Sequence, residues 1–346
     1  MSASNQPPTT AGNDAASRGG LTPTSESALL KHIFARSQLV SAHYEQVLVG
    51  PGHDCAVVNV SRSGGESPVL LKVDQLIEHR HFTSATPLSL IARKALARPL
   101  SDIAAMAGTP LCALVAATLP KGFSQASSSQ LVDFINDAGD SFACPIVGGD
   151  VATSDRTDSP LHLSVTVIGK PHATRGPVLR SGVKPGDFLY VTGSIGGSFI
   201  KDANAEFAFA GGGKHLTFTP RLAEARWLAD TLDDQLHAMM DISDGLGMDA
   251  ARLAKASNVV IEIDAAMIPL SANVREAMQA MRDGEDYELL FATPEATKCE
   301  VCGETGTTAR RIGVARERGN GEEAGCFVRL ADGALMSTEN FGWDHR

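Results

Sequence analysis

Short runs that lead into an aspartate set the strongest limit on what this chain can fold into. Residues 69–73 precede Asp74, 144–147 precede Asp150, and 238–240 precede Asp241. Gly52-His53-Asp54, Leu100-Ser101-Asp102 and Asp241-Ile242-Ser243-Asp244-Gly245 repeat the theme in segments of small residues. None of these is a charge run, so solvation alone does not explain them. A carboxylate at the end of a buried strand is costly unless a cation meets it. Hard divalent ions such as Mg²⁺ are the usual partner, bridging a few carboxylates to substrate phosphates. Taken singly, each aspartate reads as a turn or cap residue. Taken together, at strand ends along most of the chain, they read as the metal centre of an enzyme acting on phosphates.

Strand-like and helix-like segments interleave throughout. Residues 57–60, 68–74, 111–118, 144–147, 162–169, 187–192, 259–263 and 287–292 carry strand patterns. Residues 26–34, 88–97, 130–138, 221–232 and 244–255 carry helical ones. Pro99 should end the 88–97 helix, and a new helix should start near Ser101, with Ser101 or Asp102 as its N-cap. Ser243 or Asp244 should cap the helix over 244–255. Pro and Gly collect in 170–184, which suggests a boundary. The expected organisation is a tail over 1–24, a first unit over 25–176 and a second over 177–346, both α/β. Residues 1–24 are rich in Ser, Thr, Ala, Asn, Pro and Gly and have no apolar signal-peptide core, so they read as disordered.

Composition narrows the function. At 346 residues the chain can bury two cores. A formal charge of −10, with no basic stripe, argues against a nucleic-acid partner. No apolar run is long enough to span a bilayer. Six scattered cysteines point to a reduced, cytoplasmic setting rather than a disulfide scaffold.

No G-x-x-x-x-G-K-[ST] phosphate loop is present. Gly193-Ser194-Ile195-Gly196-Gly197-Ser198 could approach a phosphate, although a tight turn into a helix is the commoner use of such a loop. Cys299 and Cys302 have the spacing of half a zinc site, with no second pair following. His53, His79 and His81 lie close to the first two aspartates. Arg180 could pair with a phosphate through its planar fork, or form an ordinary loop salt bridge.

A longer series of motifs stands in order: Pro51-Gly52-His53-Asp54-Cys55-Ala56, Lys94-Ala95-Leu96-Ala97, Leu100-Ser101-Asp102-Ile103-Ala104-Ala105-Met106, Val147-Gly148-Gly149-Asp150 and Arg180-Ser181-Gly182-Val183-Lys184-Pro185-Gly186-Asp187. His215-Leu216-Thr217-Phe218-Thr219-Pro220-Arg221, Asp241-Ile242-Ser243-Asp244-Gly245-Leu246, Gly284-Glu285-Asp286-Tyr287-Glu288-Leu289 and Gly342-Trp343-Asp344-His345 follow. From about Ser25 to its end the chain resembles the thiamine-monophosphate kinase family, within the superfamily that also holds aminoimidazole ribonucleotide synthetase and selenophosphate synthetase.

The resemblance implies the two-domain aminoimidazole ribonucleotide synthetase-like fold. Its N-terminal domain forms a barrel across a homodimer, beside a C-terminal α/β domain. It implies transfer of a phosphoryl group from ATP to thiamine monophosphate with several Mg²⁺ ions. By motif position, Asp54, Asp74, Asp102, Asp150, Asp241 and Asp244 would hold metal, with Asp54, Asp102 and Asp241 at the centre of catalysis. Gly149, Asp150, Arg180 and Ser243 would meet ATP. His81, Glu285 and Trp343 would contact the thiamine phosphate. The sequence departs from the family at His53, where a negative charge is lost, at Val73 and Val151-Ala152, where hydroxyls are lost, and at Arg98-Pro99, which stand in place of a common Val-Asn. Another ATP-using enzyme of the superfamily, or a silenced nucleotide-binding homologue, remains a reading of the same motifs.

Overall fold

The computed structural model describes residues 43–342 apart from 62–64, 203–204, 210–212 and 295–300, together with residues 29, 32 and 33. The expectations for residues 1–24, Cys299 and Trp343 therefore lie outside the described residues, as does most of the helix expected over 26–34.

The first half supplies β1 (Val47–Val49), β2 (Ala56–Asn59), β3 (Pro68–Ile77), α1 (Leu88–Ala105), β4 (Thr109–Leu119), α2 (Gln125–Ser141), β5 (Ile146–Thr153) and β6 (His162–Lys170). Its strands form one sheet in the order β1-β2-β3-β6-β4-β5. Every pairing is antiparallel except β4 with β5, which α2 connects as a crossover. Even-numbered side chains of β3 face α1: Lys72 reaches Asp102 and Asp74 reaches Arg98. Strand alternation then turns Val73 to the opposite face.

The second half begins with β7 (Phe188–Thr192), the hairpin β8 (Phe199–Asp202) and β9 (Ala205–Phe209), then α3 (Lys214–Thr217) and α4 (Leu222–Leu232). It continues with β10 (Ala238–Asp241), α5 (Leu246–Ser257), β11 (Val260–Asp264), α6 (Ala277–Ala280), β12 (Leu289–Thr293) and β13 (Val301–Cys302). The last strands are β14 (Thr307–Arg316), β15 (Gly325–Arg329) and β16 (Leu335–Ser337). Here the sheet runs β10-β12-β7-β14-β11-β15-β16, with β13 pairing to β14.

The structure corrects several local expectations. Pro99 does not end a helix: α1 runs unbroken through it. A proline inside a helix costs about 3 kcal/mol. Against that, Ile91, Leu96, Leu100 and Ile103 are all buried in the first core, and each such side chain contributes roughly 1.5–3 kcal/mol. Burial wins. Asp102 accordingly lies inside α1, not at an N-cap.

Asp74 stands in mid-strand rather than at a strand end, and Gly148-Gly149-Asp150 belongs to β5 rather than to a loop. Gly149 explains the second case, because a Cβ there would lie 1.8 Å from the Val115 carbonyl oxygen of β4. Finally, neither Ser243 nor Asp244 caps α5. Gly245 is the N-cap residue, at φ +119°. The capping acceptor is Asp249, whose Oδ2 takes the Ser243 and Asp244 amides at 2.9 Å each.

Candidate active site

Three aspartates from distant parts of the chain converge. Asp54 lies in the loop before β2, Asp102 on α1 and Asp241 at the last residue of β10. All three are buried, and one carboxylate oxygen from each lies within 4.8 Å of the others. Such a trio would repel itself without compensation. Part of that compensation is visible. Arg180 meets Asp54 through two nitrogens, at 2.6 and 3.0 Å. Lys72 Nζ is 2.7 Å from Asp102, and the Ser101 hydroxyl donates to Asp241 Oδ2 at 2.7 Å. Burial raises the Lys72 ammonium's environment cost, yet Asp102 and Asp74 outweigh it and move its pKa up. Burial and the nearby Asp54 push Asp241 up to about 7. An all-oxygen donor set that is buried and under-compensated is the chemistry that a hard divalent cation satisfies, so these residues fit Mg²⁺.

The other aspartates expected to hold metal are placed differently. Asp74 accepts from Arg98 Nε at 3.0 Å and from the Gln75 amide at 3.0 Å. Asp244 is paired with Arg252 on α5. Asp150 is exposed on edge strand β5, where it pairs with Ala116 and faces away from α1. None of the three joins the 4.8 Å cluster.

Residues expected at the nucleotide and at the thiamine phosphate divide likewise. Arg180 borders the cluster, held from behind by Ser257 Oγ donating to its carbonyl at 2.8 Å. His53 Nδ1 accepts from the Arg180 amide at 3.3 Å. Ser243 lies two residues after Asp241, its amide bound to Asp249 and its carbonyl accepting from Glu285 N at 2.7 Å. Gly149 lies on β5. His81 is buried, and its Nδ1 accepts from the Ile77 amide at 2.9 Å. Burial and then Arg98 hold His81 down to about 3, so it is neutral.

Glu285 lies in a second polar centre beside the first. Lys94 Nζ is 2.6 Å from its Oε2, His215 Nδ1 is 3.4 Å away, and Arg98 Nη1 is 3.8 Å from Oε1. Lys94 also donates to the His81 carbonyl at 2.8 Å. Glu285 and Tyr287 both adopt positive φ, 60° and 52°, and Tyr287 stacks on Phe218 with ring centroids 3.9 Å apart. A third group follows directly. Arg221 grips Glu288 with two 2.7 Å bonds, and Lys214 adds a contact at 3.1 Å. The glycine-rich 193–198 loop is tied into this group. Gly196 N donates to Asp286 and Gly197 N to Asp283, both at 2.8 Å. Those amides serve the protein's own carboxylates.

Sequence reasoning missed Lys72, Lys94, His215 and Asp249. Lys94 and His215 carried a signal only as the first residues of two motifs in the series, with no role attached to either.

Residues 52–170 match the N-terminal domain, and 184–324 the C-terminal domain, of AIR synthase related proteins. The thiamine-monophosphate kinase of Rhodopirellula baltica is 34% identical over 283 residues, covering 78% of this chain and 83% of its own length. That of Escherichia coli K12 is 31% identical, covering 92% and 98%. The chain belongs to the thiamine-monophosphate kinase family. Among solved structures of that family, AaThiL complexed with AMPPCP and TMP superimposes with a TM-score of 0.71 at 26% identity, over 94% of this chain and 100% of that one. The thiamine monophosphate kinase from Aquifex aeolicus gives 0.65 at 25% identity. The mixed α/β, two-domain fold is therefore that of the family.

Proposed function

We propose that this chain transfers the γ-phosphoryl group of ATP to thiamine monophosphate. The bond from the γ-phosphorus to the β,γ-bridging oxygen breaks, and a bond to a phosphate oxygen of thiamine monophosphate forms. The products are ADP and thiamine diphosphate. The observation that carries this reading is the convergence of Asp54, Asp102 and Asp241 within 4.8 Å, in a chain of this family.

These three residues would hold Mg²⁺, which when bound supplies positive charge to the phosphates of both substrates. The remaining work falls to the protein. Phosphoryl transfer needs positioning and charge neutralisation more than covalent help. Arg180, fixed by Asp54 and Ser257, presents a planar, permanently charged fork at the edge of the cluster. Ser101 orients Asp241 through its hydroxyl. The acceptor phosphate is already ionised near neutral pH, so no strong base is demanded. Neutral His81 fits that requirement. The buried setting of the trio keeps water from competing for the phosphoryl group.

A second copy of the chain completes the assembly in this reading. Val73 and Leu114 both pair with Thr166 in one row of the first sheet, on the face away from α1. They are 58% and 40% exposed, and Asp150 shares their face. An apolar sheet face of this kind suits sheet-on-sheet packing in a homodimer. Among the described residues no helix is long and apolar enough to cross a membrane.

The direct test is incubation with ATP, Mg²⁺ and thiamine monophosphate, followed by chromatography of the products. Thiamine diphosphate formed one for one with ADP is expected. ADP without thiamine diphosphate, or no turnover at all, would overturn the assignment.

A further inference from the structure

We propose that Lys72 and Arg98 are resident counter-ions of the acidic site, each occupying carboxylate oxygens that a divalent ion would otherwise take. The inference rests on the divalent-ion reading of the Asp54, Asp102 and Asp241 cluster, and adds a limit on how many ions the chain holds. Asp74 has both carboxylate oxygens engaged by the protein. Its Oδ2 accepts from Arg98 Nε at 3.0 Å, and its Oδ1 from Gln75 N at 3.0 Å and Arg98 Nη2 at 3.5 Å. Asp102 Oδ1 accepts from Lys72 Nζ at 2.7 Å.

Both cations arise from the same geometry. Lys72 and Asp74 are two residues apart on β3 and so share a face, while Arg98 and Asp102 are four apart on α1 and share one too. Strand and helix therefore meet as two crossed ion pairs, Lys72 with Asp102 and Asp74 with Arg98. Neither pair is a loose surface contact: side-chain exposure is 24% and 9% in the first, 13% and 24% in the second. Arg98 also faces Glu285, at 3.8 Å, which fixes the guanidinium from the other side. A divalent ion bridging Asp74 to Asp102 would have to displace one of these cations or bear its repulsion at close range. Arg180 engages both oxygens of Asp54 in the same way, but Asp54 lies in the 4.8 Å cluster with Asp102 and Asp241 and Asp74 does not, so the chain keeps the trio for metal and holds Asp74 out of the coordination set.

The test counts bound Mn²⁺ by electron paramagnetic resonance of the free ion during titration of the full-length protein, with and without a non-hydrolysable ATP analogue. Lys72→Met and Arg98→Met should each bind one additional ion per chain, or bind Mn²⁺ at least about 10-fold tighter, as expected for removal of a competing charge. Asp74→Asn should bind as the wild type does. Unchanged binding in both methionine variants, or a lost ion in Asp74→Asn, overturns the proposal while leaving the metal reading intact. If no variant, nor the wild type, binds Mn²⁺, the metal reading itself falls and this inference with it. Circular dichroism melts establish that each variant is folded, and Asp74→Asn together with the wild-type ion count decides the matter should a methionine variant not fold.

Discussion

Lys94 Nζ lies 2.6 Å from Glu285 Oε2, joining α1 of the first sheet's layer to the segment that leads into β12, across 191 residues of chain. Both groups are buried. Burial lowers Lys94 to about 8 against the opposing pull of Glu285. Burial alone would raise Glu285, but Lys94, His215 and Arg98 hold it well below the usual carboxylate range. Breaking a buried pair by removing one partner costs on the order of 3–5 kcal/mol, because the other charge is stranded. Lys94→Met should therefore lower unfolding free energy by about that amount, measured by urea denaturation. The double variant Lys94→Met with Glu285→Gln should recover much of the loss. A Lys94→Met protein as stable as the wild type would show that the pair supports nothing.

Asp241→Asn should separate chemistry from folding. Loss of an outer partner to a metal ligand typically costs 10–100-fold, so a ligand itself should cost more than about 100-fold in kcat/KM. The same change removes one of three crowded carboxylates and should leave Tm in EDTA unchanged or higher. Activity within a few-fold of wild type would remove Asp241 from the site.

Asp286, which is not a member of the Asp54, Asp102 and Asp241 cluster, gives a pH signature of its own. Burial pushes its carboxyl up to about 7, with Lys214 opposing, and its Oδ2 has no hydrogen-bond partner. Unfolded, the group titrates near the ordinary aspartate value of about 4. Between these two values the folded state holds a proton that the unfolded state has released. Stability should thus fall as pH rises from about 4 to about 7, by on the order of 1 kcal/mol per unit, and this contribution should be flat on either side of that window. Denaturant midpoints across that range should show the slope in the wild type and a shallower one in Asp286→Asn. Identical slopes would assign the effect to other groups.

Leu114→Asp places a charge in the exposed row that Val73, Thr166 and Leu114 share. Were two copies packed on that face, a buried unpaired carboxylate would cost several kcal/mol, enough to convert dimer to monomer at micromolar concentration. Light scattering on the wild type and the variant reads this directly. A wild-type monomer, or a variant dimer, would place any interface elsewhere.

Much of the site was legible in the sequence because carboxylates stand out against apolar surroundings. Asp54, Asp102 and Asp241 are visible as aspartates in places where charge is expensive, and they do converge. What sequence could not supply was the partner of each. Asp74 and Asp244 fit the same pattern, yet Arg98 and Arg252 engage them. Each of those pairings depends on which residues share a face once strand and helix are docked. Lys72 was hidden inside a β-strand run, and Lys94 inside a helical one, because a buried lysine looks solvated until its partner is found, 30 residues away for Lys72 and 191 for Lys94. The Pro99 expectation failed for a related reason: local rules describe an isolated helix, while α1 is held along most of its length by the surrounding core.

That helix packs into two cores at once. Ile91, Leu96, Leu100 and Ile103 belong to the core of the first sheet. Ala104 and Ala105 sit with Val178, Tyr190, Leu228 and Phe291 in a core of the second. Neither half can lose its packing without exposing a side of the same rod. The two lobes should consequently melt in one calorimetric transition, with α1 among the last amides to exchange with solvent, and the carboxylates that close the site should disperse only when the whole molecule does.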